Sequence, residues 1–218
     1  MKKELIFLGP PACGKGTQTN KLSEYFGFPH IDTGSLLRAE IKSGSENGLI
    51  AKQYIDKGLL VPVQLVGEII KNRLMQEDCK NGFILDGFPR SMEQALMLEN
   101  IRKDIDGNNK VDFRATYFDI EVDKLISRIV NRRSCPKCGE IYNIKTKPPK
   151  VEGKCDICKV DLTQRKDDNE EVAKARFDTY FKETAPLVEY YKNKNELSTI
   201  DAEGTIDEVW ERLLKVVE

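Results

Sequence analysis

A glycine-rich loop near the amino terminus constrains this chain more than any other segment. An apolar run, Leu5-Ile6-Phe7-Leu8, leads directly into the loop, whose sequence is Gly9-Pro10-Pro11-Ala12-Cys13-Gly14-Lys15-Gly16-Thr17. Apolar residues then recur at helical spacing until Gly27. A strand, a loop of small residues and a helix in this order let backbone N–H groups and the positive end of the helix dipole surround a phosphate. The pattern therefore predicts a buried parallel strand followed by a phosphate-binding loop.

Three further positions complete this prediction. Lys15 is expected to reach the β- and γ-phosphates of a nucleotide, and Thr17 or its neighbour to approach a magnesium ion. Asp86 follows a later apolar strand, where an acidic group can hold magnesium through its waters. At position 12 alanine stands where another glycine would be easier.

Strand and helix patterns alternate along most of the chain. Further strands are predicted around His30-Ile31, at Phe83-Ile84-Leu85, from Ala115 to Phe118 and from Leu197 to Ile200. Helices are predicted after the phosphate loop, over 34–43, 48–57, 63–76, 122–132 and 169–192, and at the carboxyl terminus. The helix over 169–192 is expected to bend near Pro186. Such alternation predicts an α/β fold, with a five-stranded parallel sheet flanked by helices and joined by right-handed crossovers.

The composition excludes several classes of protein. Apolar residues make up 39% and charged residues 33% of the chain, which suits a globular fold with a hydrophobic core. The formal net charge of −1 gives no indication of nucleic acid or an anionic membrane as a partner. The apolar run near the amino terminus is too short for a secretory signal or a membrane span. We therefore expect a cytoplasmic monomer with no membrane partner.

Four of the six cysteines lie in a segment, 134–162, that interrupts the alternation. Their spacing, Cys135-x2-Cys138-x16-Cys155-x2-Cys158, is typical of a structural zinc site without an open position for a reactive water. A short insert with few large apolar groups needs such a metal, which supplies on the order of 10 kcal/mol. Iron suits the same spacing, and metal-free thiols or two disulfides are weaker alternatives. Cys79 is expected to pack in the core, and Cys13 is a candidate for oxidation.

Three segments together resemble a known family. They are the phosphate loop, His30-Ile31-Asp32-Thr33-Gly34-Ser35-Leu36-Leu37-Arg38, and Asp86-Gly87-Phe88-Pro89-Arg90 followed by Gln94. Over essentially its full length the chain resembles the adenylate kinases, and its cysteine insertion resembles that of the zinc-containing, long-lid members. The family usually has Ser-Thr-Gly-Asp where this chain has Asp32-Thr33-Gly34-Ser35. The resemblance implies a P-loop fold and the reaction ATP + AMP ⇌ 2 ADP, with Mg²⁺ and structural Zn²⁺.

The resemblance also implies roles for individual residues. ATP would be bound by Ala12, Cys13, Gly14, Lys15, Gly16, Thr17, Arg128, Arg132, Ile141, Tyr142 and Ile206, with Arg128 over the adenine. AMP would be bound by Thr33, Arg38, the backbone at Leu59, Leu60 and Val61, Gly87, Phe88, Pro89, Arg90, Gln94, Arg165 and Arg176. Arg90 would clamp the AMP phosphate and Gln94 the adenine edge. Catalysis would depend on Lys15, Arg90, Arg132, Arg165 and Arg176, because positioned cations stabilise phosphoryl transfer. Asp167 and Asp168 would brace the arginines, a solvated acidic pair being the alternative.

The same resemblance divides the chain into three parts. The core would comprise 1–31, 62–130 and 169–218, a small helical AMP-binding insertion 32–61, and a zinc-ribbon-like lid 131–168. No protein base is required, because the acceptor oxygen of AMP is already anionic near neutral pH. His30, the only histidine, is therefore expected to be structural.

Three other functions are less consistent with the sequence. The NKxD string at 109–112 would suggest a GTPase, but it lies in a polar connector before a strand rather than after one. The lysines of the cysteine insertion would suit a nucleic acid, but Tyr142 offers almost the only aromatic ring there for stacking. Kinases for UMP or CMP typically have a short lid, so the long insertion favours AMP as the acceptor.

Overall fold

In the computed structural model, which describes residues 1–107, 109–123 and 125–218, a parallel sheet separates two layers of helices. The strands are Lys2–Leu8 (β1), His30–Asp32 (β2), Gly82–Asp86 (β3), Val111–Asp119 (β4), Arg132–Ser134 (β5), Ile141–Asn143 (β6) and Leu197–Asp201 (β7). The five-stranded sheet has the order β2-β3-β1-β4-β7, and all its neighbours are parallel. Strands β5 and β6 form a separate antiparallel pair. The predicted sheet is confirmed.

The helices connect these strands in chain order. They are Lys15–Phe26 (α1), Thr33–Ser43 (α2), Glu46–Ile55 (α3), Val63–Leu74 (α4), Met92–Asp106 (α5), Leu125–Val130 (α6), Glu170–Thr179 (α7), Pro186–Asn193 (α8) and Ile206–Val217 (α9). A short 3₁₀ turn, Glu77–Cys79, precedes β3, and a π-helical turn, Tyr180–Thr184, joins α7 to α8.

The central strand explains why the first apolar run is continuous. Ile6 and Leu8 pack into one hydrophobic cluster with residues of α4, α5 and α8. Leu5 and Phe7, which point to the other face, pack with residues of α1, α6 and α9. Because successive side chains of a strand point to opposite faces, a strand covered on both faces must be apolar at every position. The phosphate loop therefore follows directly from a strand that is buried on both faces.

Several predicted boundaries differ from the observed ones. No element was predicted for 92–106, although Ser91 caps α5 and the buried Leu98 and Ile101 mark its inner face. The helix predicted over 122–132 is observed at Leu125–Val130, and position 124 of the predicted helix lies outside the described residues. Arg132 belongs to β5 instead, because it pairs with a residue of β6. The long helix predicted over 169–192 is interrupted by a π-helical turn immediately before Pro186, where a bend was predicted.

Within the described ranges, every helix is too short or too polar to traverse a lipid bilayer.

Helix α5 offers a matched test of this packing. Leu98 is 1% exposed in the core, whereas Leu96 in the same helix is 51% exposed. Leu98→Ala should reduce the free energy of unfolding by about 3 kcal/mol, because it removes buried methyl groups and leaves a cavity. Leu96→Ala should change it by less than about 0.5 kcal/mol. Urea denaturation followed by circular dichroism measures both, and equal effects would contradict the assigned orientation of α5.

Candidate active site

The phosphate loop lies at the carboxyl end of β1, beside the ends of β2 and β3. The strand register places Phe7 opposite Asp86, and Asp86 opposite Asp32. Segments that follow neighbouring parallel strands meet at one edge of the sheet, where open α/β sheets bind their ligands. The three motifs singled out in the sequence therefore converge at this edge.

The phosphate loop takes a conformation that favours small residues. Gly14 has φ 104° and Ala12 has φ 63°, a left-handed angle that residues with a Cβ seldom adopt. This angle confirms that glycine would be easier at position 12. The Nζ of Lys15 donates to the carbonyl oxygens of Gly9 at 2.7 Å and Pro10 at 3.0 Å. The ammonium group is thus held over the loop.

The two cysteines outside the insertion are both buried. Cys79 is fully buried in the core, and burial raises the pKa of its thiol to about 11, which confirms its packing role. Cys13 is 3% exposed, and its Sγ accepts a hydrogen bond from Lys15 Nζ at 3.2 Å. Oxidation of Cys13 stays a prediction.

Asp86 lies beside the phosphate loop, at the end of β3. Its Oδ2 lies 3.7 Å from His30 Nε2, and 3.4 Å from the place that a Cβ on Gly16 would occupy. His30 Nδ1 lies 2.7 Å from Asn20 Oδ1, which orients the ring. Because Thr17 lines the same cleft, a carboxylate and a hydroxyl lie beside the loop, and oxygen donors of this kind suit Mg²⁺.

Asp32 holds the beginning of α2. Its carboxylate accepts from the backbone N–H of Gly34 at 3.0 Å and of Ser35 at 3.1 Å, and from Arg38 Nη2 at 3.0 Å. Burial would raise the pKa of Asp32, but the Arg38 charge and the Ser35 hydroxyl outweigh it and hold the pKa below its ordinary value. The aspartate that replaces the usual serine thus caps the helix and also orients Arg38.

The convergent segments enclose one large cleft of about 1310 Å³. The ATP-binding residues predicted from the sequence all line it, as do Asp86 and every predicted AMP-binding residue except Phe88. Phe88 is fully buried in the core beneath the cleft, so its side chain serves packing. The predicted binding residues are therefore brought together although they come from all parts of the chain.

Seven arginines line this cleft, namely Arg38, Arg73, Arg90, Arg128, Arg132, Arg165 and Arg176. Burial is the main cause that lowers the pKa of Arg176 to about 9, and repulsion from the other guanidinium groups adds to it. Burial and the charges of Arg132 and Arg38 lower the pKa of Arg165 to about 10. Both groups remain charged at neutral pH but lie close to other cations. Such a site is suited to a ligand that carries several negative charges.

Two buried carboxylates hold part of this arginine cluster. Asp168 accepts from Arg132 Nε at 2.9 Å and lies 3.5 Å from Arg176 Nη1. Asp167 forms an ion pair with Arg176. Asp167 and Asp168 are 7% and 2% exposed, so they are not a solvated acidic pair. The prediction that they brace the arginines is confirmed.

The four cysteines of the insertion form a compact cluster. Their sulfur atoms all lie within 4.8 Å of one another, and Cys138 Sγ is 3.7 Å from Cys155 Sγ. Tetrahedral Zn–S bonds of about 2.3 Å place neighbouring sulfurs about 3.8 Å apart, so the cluster fits a four-thiolate metal site. Backbone N–H groups of Cys138 and Cys158 donate to the sulfurs of Cys135 and Cys155, respectively. None of these sulfurs forms a disulfide.

Tyr142 lies between this cluster and the cleft. It is 3% exposed, and its hydroxyl accepts from the backbone N–H of Asp156 at 2.8 Å and lies 3.6 Å from Cys155 Sγ. The hydroxyl is thus directed at the cysteines. A role of Tyr142 towards a nucleotide would therefore rest on its backbone or ring.

The cleft also contains residues that the sequence analysis missed. Tyr180 and Thr184 line it from the π-helical turn, and Thr179 lines it from the end of α7. No sequence signal marks them as a group, since Thr179 and Thr184 are five residues apart, which is not the spacing of one face of an α-helix.

Comparison with known proteins agrees with this geometry. The family model for adenylate kinase matches residues 7–196. The chain is 48% identical to the adenylate kinase of Caldicellulosiruptor saccharolyticus and 45% identical to that of Thermosipho melanesiensis, in each case over 98% of both chains. It is 42% identical to the adenylate kinase of Clostridium perfringens strain 13, over 100% of this chain and 98% of the relative.

The chain belongs to the adenylate kinase family. Adenylate kinases are phosphotransferases, and the five-stranded sheet, the phosphate loop and the arginine-lined cleft are those of such an enzyme.

Removing one thiolate of the four-cysteine cluster should destabilise the insertion of this adenylate kinase. Cys138→Ser should reduce bound metal well below one equivalent and lower the melting temperature, because metal coordination stabilises so small a segment. Lys137→Ser, at an exposed position between the two ligands, should do neither. Elemental analysis and calorimetry measure both effects, and elemental analysis also separates zinc from iron. Unchanged melting of a variant shown to be metal-free would refute the structural role.

Because the arginines of the cleft repel one another, removing one of them should stabilise the ligand-free protein. Arg165→Met should raise the melting temperature of the ligand-free protein by a few degrees, because its charge is partly buried among other cations. Lys166→Met, at the exposed neighbouring position, should leave it unchanged. Added tripolyphosphate should stabilise the wild type more than Arg165→Met, since it binds the folded cleft. A ligand-free Arg165→Met protein that melts lower than the wild type would contradict this account.

Proposed function

We propose that this chain catalyses the reversible transfer of the terminal phosphoryl group of ATP to AMP, giving two molecules of ADP. The observation that carries the proposal is a single cleft with a phosphate loop in one half and a second arginine-lined half. Pockets for one small ligand usually measure about 300–1000 Å³. At about 1310 Å³ the cleft has room for two nucleotides placed end to end.

The donor nucleotide would occupy the half formed by the phosphate loop. Backbone N–H groups from Ala12 to Thr17 and the amino end of α1 would surround the phosphates. Lys15, already over the loop, would exchange its carbonyl contacts for phosphate oxygens. The adenine would lie towards Arg128 and Ile206, which border this half of the cleft.

The acceptor nucleotide would occupy the half formed by α2, the segment 58–61 and the loop after β3. Thr33 is 3% exposed, and its hydroxyl has no hydrogen-bond partner among the described residues. A buried hydroxyl of this kind favours a ligand that bonds to it. Arg38 and Arg90 would then bind the AMP phosphate, and the backbone from Leu59 to Val61, together with Gln94, would border its base.

Phosphoryl transfer would take place between these halves, among Arg132, Arg165 and Arg176. The protein has mainly to align the reacting oxygens and stabilise charge on the transferred group, and well-placed arginines can contribute a factor of roughly 10³–10⁵ to the rate. Magnesium bound with ATP would neutralise part of the phosphate charge, and Asp86 would hold it through water. No general base is needed, which is consistent with a structural His30.

We further propose that the segments 32–61 and 131–168 act as two mobile parts on the remaining core. Closing them over the cleft would exclude water, which would otherwise receive the phosphoryl group. Zinc is the proposed metal of the four-cysteine cluster. It would keep the lid folded while the lid moves, because a four-thiolate shell has no open position for chemistry.

Activity with different acceptors tests the proposal. Formation of diphosphates from ATP with AMP, CMP, UMP or GMP should be fastest with AMP, by at least about tenfold in kcat/KM. The long lid distinguishes this chain from typical UMP and CMP kinases, so a preference for a pyrimidine acceptor is the competing outcome. Negligible turnover with AMP would exclude the proposed reaction.

Two lysines of α1 give a matched control for the assay. Lys15→Met should reduce kcat by at least about 10²-fold, because it removes a charge from the donor phosphates. Lys21→Met, in the same helix, removes a surface pair with Asp207 and a contact with the Trp210 ring, both outside the cleft, and should retain the wild-type rate.

A further inference from the structure

The π-helical turn Tyr180–Thr184 lies between two α-helices and borders the cleft. Its wider turn is closed by a hydrogen bond from the backbone N–H of Ala185 to the carbonyl oxygen of Tyr180, at 2.8 Å. π-Helical turns inside helices are rare and are frequently found at functional sites. Two side chains of this turn, Tyr180 and Thr184, line the cleft.

The turn gives Thr184 an unusual hydrogen bond. A threonine in a regular helix often donates to the carbonyl four residues earlier, as Thr179 does to Ala175 at 2.8 Å. For Thr184 that carbonyl would be Tyr180, which Ala185 already occupies. The Thr184 hydroxyl instead donates to the backbone carbonyl of Arg90, at 2.7 Å.

Arg90 is held at both of its backbone polar groups. Its N–H donates to the side-chain oxygen of Gln94 at 2.8 Å, while its carbonyl accepts from Thr184. Gln94 is 4% exposed and Thr184 is 7% exposed, so both side chains lie within packed structure. The guanidinium is directed by a further hydrogen bond from Arg90 Nε to the carbonyl of Gly87, at 2.7 Å.

These contacts fix an arginine that belongs to no helix or strand. Arg90 lies in the loop between β3 and α5, so no regular backbone hydrogen bonds define its position. Gln94 ties it to α5, and Thr184 ties it to the connection between α7 and α8. Since α7 begins directly after the lid segment and also carries Arg176, one helical run positions two of the cleft arginines.

We propose that Thr184 is a positioning residue for the acceptor phosphate, acting through the backbone of Arg90. The inference rests on the proposed function, in which Arg90 binds the phosphate of AMP. A displacement of about 1 Å in a group that aligns reactants can reduce the rate by about 10²-fold. Thr184 holds the Arg90 backbone at a fixed position relative to the donor half of the cleft.

Valine at position 184 keeps the branched shape of threonine and replaces its hydroxyl by a methyl group, which cannot donate a hydrogen bond. Thr184→Val should lower kcat/KM for AMP by about tenfold and change KM for ATP by less than about twofold. Thr184→Ser, which retains the donor, should recover activity to within about threefold of the wild type.

A second threonine provides the matched control. Thr116 in β4 is fully buried, does not border the cleft, and has a hydroxyl without a partner among the described residues. Thr116→Val should therefore leave both KM values unchanged.

A double-mutant cycle tests whether Thr184 acts through Arg90. Calorimetry should show that Thr184→Val weakens AMP binding about tenfold in the wild type but less than about twofold in the Arg90→Met background. A similar loss in both backgrounds, or a lower melting temperature with unchanged AMP kinetics, would overturn the proposal. A wild type that does not use AMP would instead refute the proposed function, so the two failures are distinguishable.

Discussion

Repulsion among the arginines of the cleft is the constraint on which the arrangement of this enzyme depends. Burial and neighbouring guanidinium groups lower the pKa of Arg165 and Arg176, so the ligand-free protein holds these charges at a cost in stability. Asp167 and Asp168 offset part of that cost on the lid side, and Asp32 does so beside α2. The remaining positive charge is available to a ligand with several phosphates, because the carboxylates do not neutralise every arginine.

The rest of the fold places these charges where phosphoryl transfer needs them. The sheet is covered on both faces, so the phosphate loop begins from a rigid central strand. The side of the cleft formed by α2 and the loop after β3 depends on contacts of single side chains, such as Asp32 at α2 and Thr184 at the loop of Arg90. In the cysteine insertion, Tyr142, Val160 and Leu162 pack with three of the four cysteines in a small cluster. A bound metal would add much of the stability of so short a segment. The phosphate loop is thus the part of the cleft that follows directly from the buried central strand.

Local sequence patterns were sufficient for much of this architecture. The phosphate loop, the buried strands and the paired cysteines each depend on neighbouring residues, so their chemistry is visible without the fold. Helix α5 was missed despite its serine cap, and the hairpin of β5 and β6 was missed because pairs of three-residue strands have almost no period to detect. The bend before Pro186 was predicted, but its π-helical form was not.

By itself, the sequence predicted that the chain binds nucleotide phosphate, that a parallel sheet carries the site, and that four cysteines meet in one insertion. Only the tertiary structure decided which charged groups face each other. Arg132 meets Asp168 across 36 positions, and Thr184 meets the backbone of Arg90 across 94. Such pairings depend on how distant helices and loops pack, and no local pattern encodes them. A helical threonine has the same appearance in sequence whether its hydroxyl bonds to its own helix or fixes an arginine of the site.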